Sequence, residues 1–128
     1  MSRILALDYG RARCGCAVSD PSETLATPID VIEDPDSENG MAMIGRLVAD
    51  HGIESVVVGL PVSLSGDEGK QAVEVRRFVD ELGKVLAVPI TTYDERFTTK
   101  LAAGDEGRAP EDSRAAAHLL TSYLRSLE

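Results

Sequence analysis

Three acidic positions stand where predicted secondary-structure elements begin or end, and their residue types could hold a divalent cation. Asp8 follows an apolar run, Asp94 and Glu95 close another, and Asp112 opens a late helical pattern. Asp112 precedes Ala116 by four residues, which directs it toward the buried side of that helix. Oxygen ligands of this kind suit Mg²⁺ or Mn²⁺, and two such ions about 4 Å apart support phosphodiester hydrolysis.

Each acid also has a simpler interpretation. Asp8 lies two residues before Gly10 and fits a turn, and Asp112 fits the stabilising position of an acid near a helix N-terminus. Asp94 and Glu95 could form a surface ion pair with Arg96. In an extended strand, Asp94 and Glu95 point to opposite faces, so only one of them is expected to contact a metal directly.

The elements that must position these acids follow from apolar periodicity. The pattern predicts the order β-β-β-α-β-α-β-α-α in one domain, residues 1–128, with a mixed α/β sheet covered by helices. Strands are predicted at 3–8, 14–19, 24–33, 54–61 and 88–95, and Pro28 favours an edge position or a bulge for the third. Helices are predicted from 36 to 51, from about 67 to 86, briefly after residue 95, and from Pro110 onward. The inward residues predicted for the second helix are Val73, Phe78, Val79, Leu82 and Leu86, and Leu127 is predicted to end the apolar stripe of the last helix.

Charge and cysteine content restrict the function classes. The net charge of −9 argues against binding long nucleic acid by bulk electrostatics, although a local basic strip stays compatible with it. Cys14 and Cys16 share one face of a strand and are expected to be reduced, buried thiols, which favours the cytoplasm. The sequence indicates neither a signal peptide nor a membrane span.

Four blocks of this chain resemble the YqgF/RuvX family, and they cover nearly its whole length. The blocks are LDYGRARCGCAVSD, VVVGLP with GDEG, YDERFTT, and D-x-x-AA-x-x-LL-x-x-YL from Asp112 to Leu124. The resemblance implies a ribonuclease H-like fold with five strands in the order 3-2-1-4-5. It also implies a metal-dependent nuclease with Asp8, Glu95 and Asp112 as the catalytic, metal-binding acids.

The resemblance implies nucleic acid as the partner. The favoured substrate is the 5′ end of the 16S ribosomal RNA precursor, and a Holliday junction is the alternative. A monomer or weak homodimer is expected, without membrane association. The candidate substrate-binding residues are Arg11, Arg13, Lys70 and Arg96, and the candidate supporting residues are Gly10, Gly59 and Asp94.

Two other functions stay open at this stage. The segment GDEGRAPED, 104–112, is shorter and more acidic than the basic loop usual in the family, with Arg108 as its one base. This favours, as an alternative, a non-catalytic interaction module of the same fold. An ATP-using enzyme of the actin and sugar-kinase group also places D-x-G after its first strand, but such enzymes enclose the nucleotide between two domains of this kind.

Overall fold

The computed structural model describes residues 3–22, 25–62, 68–97 and 111–128, with positions 97, 111 and 112 described by their backbone alone. Five strands and three α-helices follow one another along the chain. They are β1 (Arg3–Tyr9), β2 (Arg13–Ser19), β3 (Ala26–Glu33), α1 (Glu38–Asp50), β4 (Ile53–Leu60), α2 (Lys70–Gly83), β5 (Ile90–Asp94) and α3 (Glu111–Ser126); a short 3₁₀ turn, Glu95–Phe97, follows β5.

The strands form one mixed sheet in the order β3-β2-β1-β4-β5, as predicted. β1, β4 and β5 are parallel neighbours, whereas β2 is antiparallel to both β1 and β3. The carboxyl ends of β1, β4 and β5 therefore meet at one edge of the sheet, where open α/β sheets bind their ligands. β3 and β5 are the two edge strands, and β5 has only five residues.

Side chains of the central strands alternate between two hydrophobic clusters, one on each face. Leu5 and Leu7 of β1 pack with residues of α1 and α2, whereas Ile4 and Ala6 pack with residues of α3. This alternation explains why β1 is apolar on both faces, because each face is covered by helices. It also directs Asp8 to the α3 face of the sheet.

Local sequence signals explain most element ends. Ser37 caps α1 by accepting a hydrogen bond from the Gly40 amide at 2.9 Å, and Gly52 follows this helix with a φ of +63°. The register between β2 and β3 shifts close to Pro28, which agrees with the predicted edge position or bulge.

Two assignments of buried helix residues were wrong. The prediction placed Val73 of α2 and Leu127 inside, but their exposed fractions are 52% and 53%. The buried stripe of α2 instead consists of Ala72, Val75, Phe78 and Leu82, so the small Ala72, not its larger neighbour, faces the sheet.

The predicted bounds of α2 and β5 were also too wide. α2 spans Lys70–Gly83 and not 67–86, and β5 begins at Ile90. The short helix predicted after residue 95 lies mostly outside the described residues. No helix in the described part of the chain is both long and apolar enough to cross a membrane.

Candidate active site

Asp8 and Glu95 meet at the carboxyl edge of the sheet. Asp8 is the sixth residue of the central strand β1, and Glu95 directly follows β5. The two carboxyl groups share a hydrogen bond although 86 residues separate them along the chain. The structure therefore brings together two of the three predicted acids.

The environment of this pair favours a proton on Glu95. Burial, the negative charge of Asp8, a hydrogen bond to Asp8 and the charge of Asp94 together raise the pKa of Glu95 to about 7. A protonated Glu95 donates to the Asp8 carboxylate, and this holds the two groups together. Above that pH, two negative charges face each other, which is the electrostatic condition that a bound cation relieves.

Asp94, the neighbour of Glu95, pairs with Arg96. Its Oδ2 atom accepts from Arg96 Nε at 2.9 Å and Nη2 at 2.6 Å, and its Oδ1 atom accepts from the Arg96 backbone N–H at 2.9 Å. These bonds lower the pKa of Asp94. Glu95, not Asp94, thus faces Asp8, while Arg96 is engaged by Asp94 as the sequence suggested.

Gly59 of β4 provides the space that Glu95 occupies. A Cβ atom at this position would lie 2.6 Å from Glu95 Oε1 and 3.0 Å from Glu95 Cγ. No real side chain tolerates such distances, so a larger residue would push the Glu95 carboxyl away from Asp8. The missing side chain of Gly59 thus leaves the space in which the Glu95 carboxyl lies, and its supporting role stays a prediction.

We expect Gly59→Ala to fold normally but to lose at least about tenfold in the rate of any reaction that needs the acid pair. Displacing a catalytic group by about 1 Å can lower the rate of a reaction by about 10²-fold. The clash involves a flexible side chain and not the backbone. Activity and thermal unfolding of Gly59→Ala would be compared with Gly83→Ala, since a Cβ at Gly83 meets no atom within 4 Å. Full activity in Gly59→Ala would contradict the role assigned to this glycine.

Gly10 has a comparable requirement in the turn after Asp8. A Cβ there would lie 2.8 Å from the Arg13 carbonyl oxygen, which belongs to the backbone. The turn cannot accommodate a side chain at this position without shifting. Glycine is thus needed to bring the chain from β1 directly into β2.

Asp112 is placed by its backbone in the first turn of α3, as predicted. Its side chain lies outside the described residues, so its distance from Asp8 is not part of this structure. Within the described ranges, no three His, Cys, Asp or Glu side chains lie close enough together to share a metal ion. The described pair alone would supply two ligands.

A cavity of about 390 Å³ opens beside the acid pair toward α2. Asp8 and Glu95 line one part of it, and the rest consists of Tyr9, Gly10, Arg11, Pro61, Gln71, Glu74 and Val75. Sequence reasoning identified Arg11 and Gly10 but missed Tyr9, Gln71 and Glu74. A glutamate and a glutamine near the start of a helix give no signal of a cavity, because such residues are common on solvated helix faces.

The predicted basic residues occupy different positions around this edge. Arg11 is in the β1–β2 turn and lines the cavity, Arg13 begins β2, and Lys70 begins α2. Lys70 follows the N-cap residue Gly69, which offers no side-chain cap to the first helical N–H groups. Of the four predicted basic residues, Arg11 alone is among those that line the cavity, and the binding of all four to substrate stays a prediction.

The β1–β2 turn is fixed by several contacts. The Tyr9 hydroxyl donates to Asp36, and its ring stacks on Phe78 with ring centroids 4.4 Å apart. The Asp34 amide donates to the Ala12 carbonyl at 2.9 Å. Burial and the neighbouring Asp36 raise the pKa of Tyr9 well above its usual range, so this hydroxyl is a permanent donor.

Cys14 and Cys16 are fully buried free thiols on the α1 and α2 side of β2, as predicted. Their mutual contact and their burial raise the pKa of the Cys14 thiol. They therefore act as small apolar residues of the core.

Solved structures share this fold. Thermus thermophilus RuvC in complex with a Holliday junction substrate aligns with a TM-score of 0.67 and 16% identity, over 99% of this chain and 96% of that one. The fowlpox virus Holliday junction resolvase aligns with a TM-score of 0.57 and 12% identity, over 98% and 99%. At these identities the likeness concerns the fold, which is of the RuvC-like, ribonuclease H type.

Curated relatives are much closer in sequence, and the three described next each bear the name "Putative pre-16S rRNA nuclease". The Chloroflexus aggregans protein is 44% identical over 99 residues, covering 77% of this chain and 70% of the relative. The Roseiflexus protein is 38% identical over 133 residues, covering 97% and 94%. The Streptomyces coelicolor protein is 41% identical over 134 residues, covering 97% and 80%.

A family model described as "RuvX: Holliday junction resolvase" matches residues 2–126. This range includes all four sequence blocks and both acids of the described pair. The chain therefore belongs to the RuvX family.

Proposed function

We propose that this chain is a metal-dependent nuclease that hydrolyses phosphodiester bonds in the 5′-end maturation of the 16S ribosomal RNA precursor. The observation that carries the proposal is the Asp8–Glu95 pair, held at the carboxyl edge of a ribonuclease H-like sheet. The curated relatives, whose names refer to this RNA, support the choice of substrate. We take residues 1–128 as one catalytic domain acting in the cytoplasm.

The acid pair fits a hard divalent cation. Asp8 and Glu95 place carboxyl oxygens next to each other, and such oxygens are the ligands that hard cations prefer. The pKa of Glu95, raised to about 7, reflects burial together with the cost of two negative charges so close together, and a cation between them would remove the repulsion. Asp8, Glu95 and Asp112 would hold Mg²⁺ or Mn²⁺. When bound, such ions activate water and stabilise the leaving oxygen of a phosphodiester.

The protein residues have separate parts in this proposal. Glu95 would have to be deprotonated to hold a cation, and Gly59 leaves the space that the Glu95 carboxyl occupies beside Asp8. Asp94 and Arg96 neutralise each other at the end of β5, which fixes the turn that presents Glu95. Arg11, Arg13, Lys70 and Arg96 would contact phosphates of the substrate backbone.

A Holliday junction is the second candidate substrate, because the matching family model is described as a Holliday junction resolvase. Resolution requires two coordinated cuts and therefore usually a dimer. We propose a monomer or weak homodimer, which favours the RNA substrate. The interaction module is the third candidate, and the net charge of −9 is the observation that favours it.

The deciding experiment offers labelled 16S precursor RNA and a four-way DNA junction to the purified protein with Mg²⁺, Mn²⁺ or EDTA. We expect metal-dependent cleavage of the RNA near its mature 5′ end and little or no cutting of the junction. Asp8→Asn protein, purified in parallel, controls for contaminating nucleases. Symmetric cutting of the junction alone would select the second candidate, and no cutting by folded protein would select the third.

A further inference from the structure

One side chain that sequence reasoning missed makes a specific contact beside the acid pair. Arg11 donates from both Nε, at 3.1 Å, and Nη2 to the same carboxylate oxygen, Oε2 of Glu74. The contact joins the β1–β2 turn to α2, and both residues line the cavity next to Asp8 and Glu95. It therefore sits within the site without belonging to the acid pair.

The hydrogen bonds to Glu74 use only one side of the Arg11 guanidinium. Nε and Nη2 form one side of the planar group, and Glu74 occupies that side. Among the described residues, Nη1 has no hydrogen-bond partner, and Arg11 is 78% exposed. Nη1 and Nη2 can thus donate to two oxygens of one phosphate, a bidentate arrangement that the planar arginine side chain forms and lysine does not.

The contact has little value for stability. Ion pairs between exposed side chains contribute about 0–1 kcal/mol, and Arg11 is mostly in solvent. A structural role would thus be weak. Glu74 is also not a third metal ligand in this structure, since no three acidic, His or Cys side chains of the described residues come together.

The attachment of the turn supports a positioning role. Three contacts hold the β1–β2 turn in place. Tyr9 donates to Asp36, the Asp34 amide donates to the Ala12 carbonyl, and Arg11 donates to Glu74. The first two contacts fix the backbone on either side of Arg11. The third fixes the long side chain, whose rotamer freedom would otherwise be lost when substrate binds.

We propose that Glu74 is a positioning residue, which holds the Arg11 guanidinium so that its free edge binds a backbone phosphate beside the Asp8–Glu95 pair. This inference rests on the proposed function, because it assigns a contact to a nucleic-acid substrate. It makes a counterintuitive prediction. Removing a negative charge from the binding site of a polyanion should weaken binding and not strengthen it.

The test measures binding of a labelled RNA oligonucleotide by fluorescence anisotropy with Mg²⁺, in an Asp8→Asn background that does not cleave. We expect Glu74→Gln to weaken binding about 3- to 10-fold, the range corresponding to one hydrogen bond of ordinary strength. With Asp8 intact, KM should rise by the same factor with kcat nearly unchanged. The melting temperature should not change.

Glu81→Gln is the matched control. It makes the same substitution on the same helix and removes an ion pair between Lys84 Nζ and Glu81 Oε2 at 2.9 Å, in which the Glu81 side chain is 55% exposed and that of Glu74 is 26% exposed. Its position lies about 10 Å further along the helix axis, beyond the screening length of about 8 Å at physiological salt. We expect it to leave binding unchanged or slightly stronger.

A double-mutant cycle separates positioning from other effects. In an Arg11→Ala background, Glu74→Gln should have no further effect, because the side chain that it positions is gone. Equal or tighter binding by Glu74→Gln, or a loss that persists without Arg11, would overturn the inference while cleavage by the parent protein upheld the nuclease. A parent protein that neither binds nor cleaves nucleic acid would overturn the proposed function and this inference with it.

Discussion

Asp8→Asn is expected to reduce the rate of cleavage by more than about 100-fold. Substituting a residue that only orients a metal ligand typically lowers metal affinity or activity by about 10- to 100-fold, and a direct ligand should matter more. Asn keeps the shape of Asp but carries no charge, so the site loses one of its two described anionic oxygen donors. The acid is also the hydrogen-bond partner of Glu95. Both the cation and the geometry of the pair depend on it.

The same substitution should stabilise the metal-free protein at pH 8. There the Asp8 and Glu95 charges repel each other, and Asn removes that repulsion. Glu95 is partly exposed, so solvent screening reduces the gain to about 1 kcal/mol, or roughly 3–5 °C in melting temperature for a chain of this size.

Asp50→Asn is a suitable control for both effects. Asp50 is exposed at the end of α1, close to the start of β4 and thus toward the opposite edge of the sheet. This variant should cleave and melt like the parent protein. An Asp8→Asn variant that cleaves at the parental rate, or melts several degrees lower, would contradict the proposed metal site.

The second large effect concerns the dependence of metal affinity on pH. Glu95 must lose its proton to bind a cation, and its pKa is raised to about 7. Below that pH, each unit of acidification should weaken Mn²⁺ or Mg²⁺ binding about tenfold, and above it the affinity should level off. Between pH 7 and pH 5 the expected change is about 50-fold, because half of the Glu95 groups already carry a proton at pH 7.

Without metal, the titration of Glu95 should make the free energy of unfolding fall as the pH rises. The folded protein holds a proton on Glu95 up to about pH 7, whereas the unfolded chain releases it near 4.5. The folded state thus binds more protons between these values, and the stability contributed by this group is lost as the pH rises through that interval. Below pH 4.5 the contribution is fully present.

Calorimetric Mn²⁺ titrations at several pH values, with the Glu95→Gln and Asp94→Asn variants, check this prediction. Glu95→Gln should bind weakly with little pH dependence. Asp94→Asn should keep the steep dependence, because Asp94 pairs with Arg96 and does not face Asp8. A metal affinity of the parent protein that is constant from pH 5 to 7 would refute the assignment of the proton to Glu95.

Apolar periodicity predicted the number of strands and the mixed α/β class, but the strand order came from the family resemblance. Given that order, the meeting of Asp8 with the end of β5 follows from the rule that parallel strands share a carboxyl edge. The sequence could not choose between Asp94 and Glu95, since strand alternation only says that they diverge. The Arg96 contacts made that choice. In α2 the prediction was correct for Phe78 and Leu82, which are buried, but wrong for Val73, because the smaller Ala72 is the residue buried there.

The Arg11–Glu74 contact was beyond sequence reasoning for another reason. It joins two side chains 63 residues apart, and although Arg11 lies in a turn marked by Gly10, no periodicity, cap or turn signal marks Glu74. Charged residues on a helix face usually contact only water. Glu74 differs from the other charged residues of α2 only because its side of the helix borders the cavity, and the sequence does not show which side that is.

The place of β5 in the sheet has a consequence for cooperativity. Asp8 extends from the central strand, whereas Glu95 follows a five-residue edge strand that is hydrogen-bonded to β4 alone. Edge segments open locally at a lower free energy than central strands. Brief opening of β5 would move Glu95 away from Asp8 while the core stayed folded. A cation bound to both residues would therefore act as a reversible cross-link between the edge strand β5 and the central strand β1.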